Sequence, residues 1–120
     1  MTQIQKVIGL MSGTSLDGVD AALLETDGEA VARPGPGLTV PYLDLHRRAL
    51  REALAEAPNI PFGTMTPVIR RAELVVNMVH AHAVKALRRK LGLVPSQIAL
   101  IGFHGQTILH RPDRGVQRRQ

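Results

Sequence analysis

The 120-residue sequence predicts an α/β domain whose sheet mixes antiparallel and parallel strands. Three observations carry that expectation. Apolar segments near the N-terminus are separated by the turn-forming dipeptides Asp17-Gly18 and Asp27-Gly28, the pattern of a three-strand meander. Two stretches of helical periodicity follow, between Pro41 and Gly92. The run Ile98-Ala99-Leu100-Ile101-Gly102-Phe103 then has the unbroken apolar character of a strand buried on both faces. Meander, helices and buried strand, in that order, describe half of an α/β domain. Folds of this kind place ligands in polar loops at the ends of their strands.

Residues 4–12 form the first expected strand, turning apolar toward its end, and residues 19–26 the second. A third starts at residues 29–32, is interrupted by Pro34-Gly35-Pro36-Gly37 and resumes at residues 38–40. Pro41 suits the first turn of a helix running to about Glu56, with Leu45, Ala49, Leu50, Ala53 and Leu54 at helical spacing. Pro58 and Pro61 break it. Thr66 is the expected N-cap of a longer helix, whose apolar stripe is Val68, Ile69, Ala72, Val75, Val76, Val79, Ala83, Ala86 and Leu87. Arg88, Arg89 and Lys90 in its last turn complement the helix dipole, and Gly92 is its expected stop. His80 and His82 are two apart on this helix, point to different faces, and are expected on its surface. The sequence contains no internal repeat and shows no second domain.

Apolar residues make up 44% of the chain, enough for one packed core, and aromatics only 2%, so Leu, Val, Ile and Ala must build it. The lack of cysteine excludes a disulfide scaffold and a zinc–thiolate site, and fits a reducing cytosol. The start Met1-Thr2-Gln3-Ile4 has no signal core, and no apolar run is long enough to span a bilayer. A cytoplasmic protein with no membrane partner is expected. The net charge of +5 raises the question of nucleic acid. Arg111, Arg114, Arg118 and Arg119 against Asp113 put +3 of it in the last ten residues, with no aromatic interleaved to stack on bases. A nucleic-acid partner is therefore not expected.

The segment Ser12-Gly13-Thr14-Ser15-Leu16-Asp17-Gly18 suits phosphate chemistry. Backbone N–H groups and hydroxyls can converge on a triphosphate where glycines let the chain approach, and Asp17 or Asp20 could hold Mg2+ through water. It is not a Walker loop, because the G-x-x-x-x-G-K-[ST] spacing and its lysine are missing. The same residues would also serve as a plain hairpin turn, although two residues would suffice for that. Composition leaves both readings open. After the last apolar run, His104, Gly105, Gln106 and Thr107 offer donors and acceptors suited to sugar hydroxyls, or else to local backbone groups. The spacing of His104 and His110 matches no zinc pattern.

The stretch Ile8-Gly9-Leu10-Met11-Ser12-Gly13-Thr14-Ser15-Leu16-Asp17-Gly18-Val19-Asp20 closely resembles the opening of the 1,6-anhydro-N-acetylmuramic acid kinases. Ile101-Gly102-Phe103-His104-Gly105-Gln106-Thr107-Ile108-Leu109-His110-Arg111-Pro112 resembles that family's second signature, in the right order and at a suitable separation. The resemblance covers residues 4–114. It implies an actin-like ATPase, or ribonuclease H-like, sugar-kinase lobe. It also implies a reaction in which ATP and Mg2+ convert anhydro-N-acetylmuramic acid, with ring opening, to N-acetylmuramic acid 6-phosphate in cell-wall recycling. By matching position it assigns Gly13, Thr14, Ser15, Leu16, Asp17, Gly18, Val19 and Asp20 to the ATP phosphate-binding segment. His104, Gly105, Gln106 and Thr107 fall on the sugar side. ATP and the anhydro amino sugar are the implied partners, and a homodimer stays open for a full-length member.

Members of that family are several-fold longer, and their general-base aspartate follows the second signature, so no catalytic residue is expected within this chain. The expectation is a lobe that is incomplete, with residues 1–114 as the N-terminal part of the first kinase lobe. Residues 115–120 are expected to be an aberrant basic tail that departs from the family pattern at about Val116. The 120 residues alone are then expected to be catalytically inactive and prone to aggregate. Two alternatives compete: a non-enzymatic nucleotide- or sugar-binding remnant, and a small actin-like ATPase module unrelated to sugars.

Overall fold

Turn chemistry at Asp17-Gly18 and Asp27-Gly28 folds the N-terminal third into the expected meander. The computed structural model describes residues 4–13, 15–103, 105–106, 108–111 and 117–119, with side chains at all of these except 31, 32, 109–111 and 117–119. Strands β1 (Gln5–Ser12), β2 (Gly18–Thr26) and β3 (Val31–Pro41) pair antiparallel in sequence order. At the second turn Asp27 Oδ1 accepts the N–H groups of Ala30 (3.0 Å) and Glu29 (2.9 Å), which hold its carboxyl below the usual range.

β3 differs from expectation, because it runs unbroken through Pro34-Gly35-Pro36-Gly37. The sheet order β3-β2-β1-β4 explains this: β3 is an outer strand, where a missing N–H leaves no neighbour unpaired. Register shifts between Ala22 and Leu24 and between Glu25 and Thr26 absorb the remaining misfit. Pro41 belongs to the end of β3 and not to a helix. Helix α1 starts three residues later and spans Asp44–Glu56.

Ala49, Leu50 and Ala53 of α1 are buried as expected, while Leu45 is 69% exposed. It lies at the margin of the arc those three residues define. Helix α2 (Pro67–Leu91) begins where Thr66 Oγ1 accepts the Ile69 N–H at 3.2 Å. The same hydroxyl donates to Glu56 Oε2 at 3.1 Å, which ties the start of α2 to the end of α1. The helix stops at Gly92, whose φ of 67° lets Gly92 N–H reach the Arg89 carbonyl (3.2 Å) and Leu93 N–H the Arg88 carbonyl (3.0 Å).

The helices cover one face of the sheet. Ile8 and Leu10 of β1 and Val19, Ala21 and Leu23 of β2 meet Leu50 and Ala53 of α1 and Ile69, Ala72, Val76, Val79, Ala83 and Leu87 of α2. Full burial of a side chain such as Leu50 or Leu87 contributes about 1.5–3 kcal/mol. His80 belongs to this core. The expected surface histidine is 2% exposed, donates from Nδ1 to the Val76 carbonyl at 2.6 Å, and packs edge-on against Phe103 at 4.4 Å between ring centres. It falls on the stripe with Val76, Ala83 and Leu87, whereas His82 stays on the exposed face. Desolvation holds its pKa below the usual histidine range, partly opposed by the Val76 carbonyl.

Strand β4 (Leu100–Phe103) pairs parallel with β1, with Ile8 opposite Ile101 and Leu10 opposite Phe103, which gives the expected mixed sheet. It is not buried on both faces. Leu100, Ile101 and Phe103 are 65%, 46% and 54% exposed. β4 forms the outer edge beyond β1, while α2 packs over β1, β2 and β3. Strands β5 (Leu109–Arg111) and β6 (Gln117–Arg119) pair antiparallel in a separate ladder that the sequence did not announce. Among the described residues no helix is long and apolar enough to cross a membrane.

Candidate functional site

The first motif occupies the connection from β1 to β2 at one end of the sheet. Thr14 lies outside the described residues. Leu16 N–H reaches back to the Gly13 carbonyl at 3.3 Å, and Leu16 adopts φ 59°, a left-handed conformation rare for a side chain of its size. Its side chain is buried in the core, and that burial offsets the local backbone cost of about 1–2 kcal/mol. Val19 is buried as well, so Leu16 and Val19 can offer a ligand only their backbone groups. Ser15 and Asp17 are exposed on the loop.

The two glycines that frame the loop do different work. Among the described residues, a Cβ on Gly13 would meet nothing nearer than Ser15 Oγ at 3.8 Å, which leaves its backbone open to a ligand on that side. A Cβ on Gly18 would stand 2.4 Å from the Val40 carbonyl oxygen and 2.9 Å from Pro41 Cα. Gly18 is therefore required by the close approach of β2 to β3. Asp20 pairs with Met11 and Thr39 and accepts the Thr39 hydroxyl. It is exposed on the sheet face opposite the helices, away from the buried Ser12.

The second motif meets the first at Ser12. Ser12 Oγ donates to Gln106 Oε1 across 94 positions of sequence, and both side chains are buried. Gly105, at φ 81°, turns the chain beyond β4 so that Gln106 points back under the loop. His104 and Thr107 lie outside the described residues. Ser12 Oγ is also 2.8 Å from the Tyr42 hydroxyl. A serine hydroxyl has one proton, which goes to the amide oxygen of Gln106, so Tyr42 is the donor to Ser12. Burial pushes the Tyr42 phenol up, so it stays a proton donor at neutral pH.

Tyr42 and Arg47 were not anticipated. Tyr42 N–H donates to the Asp17 carbonyl at 3.0 Å, and Arg47 Nε donates to the Leu16 carbonyl at 3.0 Å. The one available signal was that Tyr42 is the single tyrosine of an aromatic-poor chain. Beneath Gln106 a cleft of about 390 Å3 opens between the helices and the end of β4, lined by Leu50, Ile69, Val76, Phe103, Gly105 and Gln106 among others. A mainly apolar wall with a few convergent polar groups is the common form of a small-molecule site.

Among the described residues no group of three or more acidic or histidine side chains is placed to hold a metal ion. Asp17 and Asp20 are single exposed carboxylates. That donor set suits Mg2+ held largely by water and phosphate oxygens, and not a cation caged by protein.

Comparison with known proteins gives the family of the chain. The family model described as Anhydro-N-acetylmuramic acid kinase matches residues 5–119. An anhydro-N-acetylmuramic acid kinase from Azorhizobium caulinodans is 50% identical over 112 residues, covering 92% of this chain and 30% of the relative. One from Nitrobacter winogradskyi is 53% identical over 106 residues, covering 88% and 29%. One from Gluconobacter oxydans is 52% identical over 109 residues, covering 90% and 29%. The chain thus spans about 30% of the length of the curated relatives it matches. The mixed four-stranded sheet with two helices is consistent with part of a sugar-kinase lobe. With nearly its whole length matched and half its residues shared with these kinases, the chain belongs to the anhydro-N-acetylmuramic acid kinase family.

Proposed function

We propose that the protein containing this chain uses ATP to phosphorylate 1,6-anhydro-N-acetylmuramic acid, opening the anhydro ring to give N-acetylmuramic acid 6-phosphate. Residues 1–114 supply the N-terminal part of its first lobe. The observation that carries this reading is the buried Ser12–Gln106 hydrogen bond, because it joins the loop suited to phosphate to the loop suited to sugar. Gly13 and Ser15 face the phosphates with open backbone and a hydroxyl. Thr14 belongs to the same segment, while Leu16, Gly18 and Val19 hold its shape. Asp17 would hold Mg2+ through its water shell, while Asp20 follows on β2 with its carboxylate on the far sheet face. Bound Mg2+ would offset the triphosphate charge, since the loop itself has no lysine. Gly105 and Gln106, with His104 and Thr107, border the sugar. The use of ATP goes with a cytoplasmic setting.

The attacking water must lose a proton to a positioned carboxylate. Asp17 and Asp20 lie at the phosphate loop and on the far sheet face, so the base is assigned to another part of the protein. The test is MgATP binding together with coupled ADP release on 1,6-anhydro-N-acetylmuramic acid. The 120-residue polypeptide should bind MgATP and stay at the no-enzyme blank. Failure to bind MgATP would overturn the assignment of the loop. Turnover by the polypeptide alone would overturn the placement of the base.

A further inference from the structure

We propose that Tyr42 is a positioning residue that holds both loops of the site and couples them through Ser12. The inference rests on the functional reading above and adds a residue that neither motif contains. Tyr42 grips the phosphate-side loop at both ends: its N–H binds the Asp17 carbonyl at 3.0 Å, and its hydroxyl donates to Ser12 at 2.8 Å. Ser12 passes the contact on to Gln106. The ring has little freedom to move, being buried in the core and set edge-on to His46 at 6.2 Å between ring centres. One residue thus fixes the end of the loop through its backbone N–H and the start through its hydroxyl, and the hydroxyl, through one serine, also sets the orientation of the Gln106 amide. A loop ordered in advance loses less entropy when a phosphate arrives. A displacement of Ser12 by one ligand is also felt at Gln106, which makes the two binding events thermodynamically linked. Tyr42 touches neither phosphate nor sugar in this scheme and has no chemical step.

The experiment is hydrogen exchange by mass spectrometry at low micromolar concentration on the 120-residue chain, its Tyr42→Phe and Ser12→Ala variants, and the double variant. Tyr42→Phe keeps the ring in the core and removes only the hydroxyl. Exchange should become about fivefold faster in peptides carrying Gly13–Leu16 and Gly105–Gln106, as expected for the loss of one net hydrogen bond, with β2 and α2 unchanged. In the Ser12→Ala background, Tyr42→Phe should add nothing at Gly105–Gln106, since the relay is already cut. Uniform acceleration across β2 and α2, or the same acceleration at Gln106 with and without Ser12, would show a packing role only and overturn the proposal. Should Tyr42→Phe fail to fold, Ser12→Ala alone decides: it must loosen both loops, and loosening of neither refutes the relay. Wild-type binding of MgATP, measured alongside, tests the functional reading separately, because the exchange result requires no ligand.

Discussion

Replacing Gly18 by alanine separates a structural glycine from a ligand-facing one within a single motif. The added Cβ would lie 2.4 Å from the Val40 carbonyl oxygen, 2.9 Å from Pro41 Cα and 3.0 Å from the Val40 carbonyl carbon. Real Cβ contacts almost never fall below 3.0 Å, so the Val40 carbonyl must recede by at least about 0.6 Å. All three obstacles are backbone, and no side chain can swing aside. Gly18 opens β2 opposite Pro41, the last residue of β3, and Asp17 is tied to Tyr42 immediately beyond, so the shift would pull on the loop as well. Overpacking of this kind costs about 1–3 kcal/mol. Gly13→Ala is the control, because among the described residues its new Cβ meets nothing nearer than 3.8 Å; its expected cost is about 0.5 kcal/mol or less. Urea unfolding followed by circular dichroism, at micromolar concentration and with reversibility checked, should give a lower midpoint for Gly18→Ala at unchanged slope and a nearly unmoved midpoint for Gly13→Ala. MgATP binding should show the reverse emphasis, with Gly13→Ala weakened despite its intact fold. Equal midpoints for the two variants would refute the close approach of β2 to β3 at this point.

Two other consequences follow from burial and exposure. The folded pKa of His80 lies below its unfolded value near 6.5, so the unfolded chain binds the extra proton first as pH falls. Stability should be fully retained above that value and decline as pH drops below it, and His80→Gln should flatten this decline; an unchanged pH profile in the variant would remove His80 as its cause. Among the described residues no strand pairs with the outer edge of β4, and its exposed apolar side chains invite strand addition. The 120-residue polypeptide should therefore show concentration-dependent association by light scattering, which Ile101→Lys should reduce; a monodisperse wild type at high concentration would contradict this.

Local chemistry made most of the fold legible. Asp27-Gly28, the Thr66 cap, the Gly92 stop and the spacing from Ile69 to Leu87 act over a few residues, and each appears where sequence placed it. The misreadings have a common origin in position within the sheet. Pro34 and Pro36 are tolerated because β3 is an edge, and the apolar run at Leu100–Phe103 is exposed because β4 is the opposite edge. Neither fact is encoded near the residues concerned. His80 was misplaced for a related reason: a polar residue on an apolar stripe stays buried when a backbone carbonyl accepts its N–H and a ring, here Phe103, packs on it.

For the site, the two motifs and their family were readable because both are short, contiguous stretches of chain. Sequence by itself determined the family, the loop suited to phosphate and the candidate residues from Gly13 to Asp20 and from His104 to Thr107. Only the tertiary structure decided how those residues divide: Leu16 and Val19 into the core, Gly18 against β3, Asp20 onto the far face, and Gln106 against Ser12. It also brought in Tyr42, which lies 30 positions from Ser12. The physical reason is range. Turns, caps and periodicity are interactions between near neighbours, whereas the parallel pairing of β4 with β1 places Gln106 beneath Ser12 only after the whole helical crossover has closed.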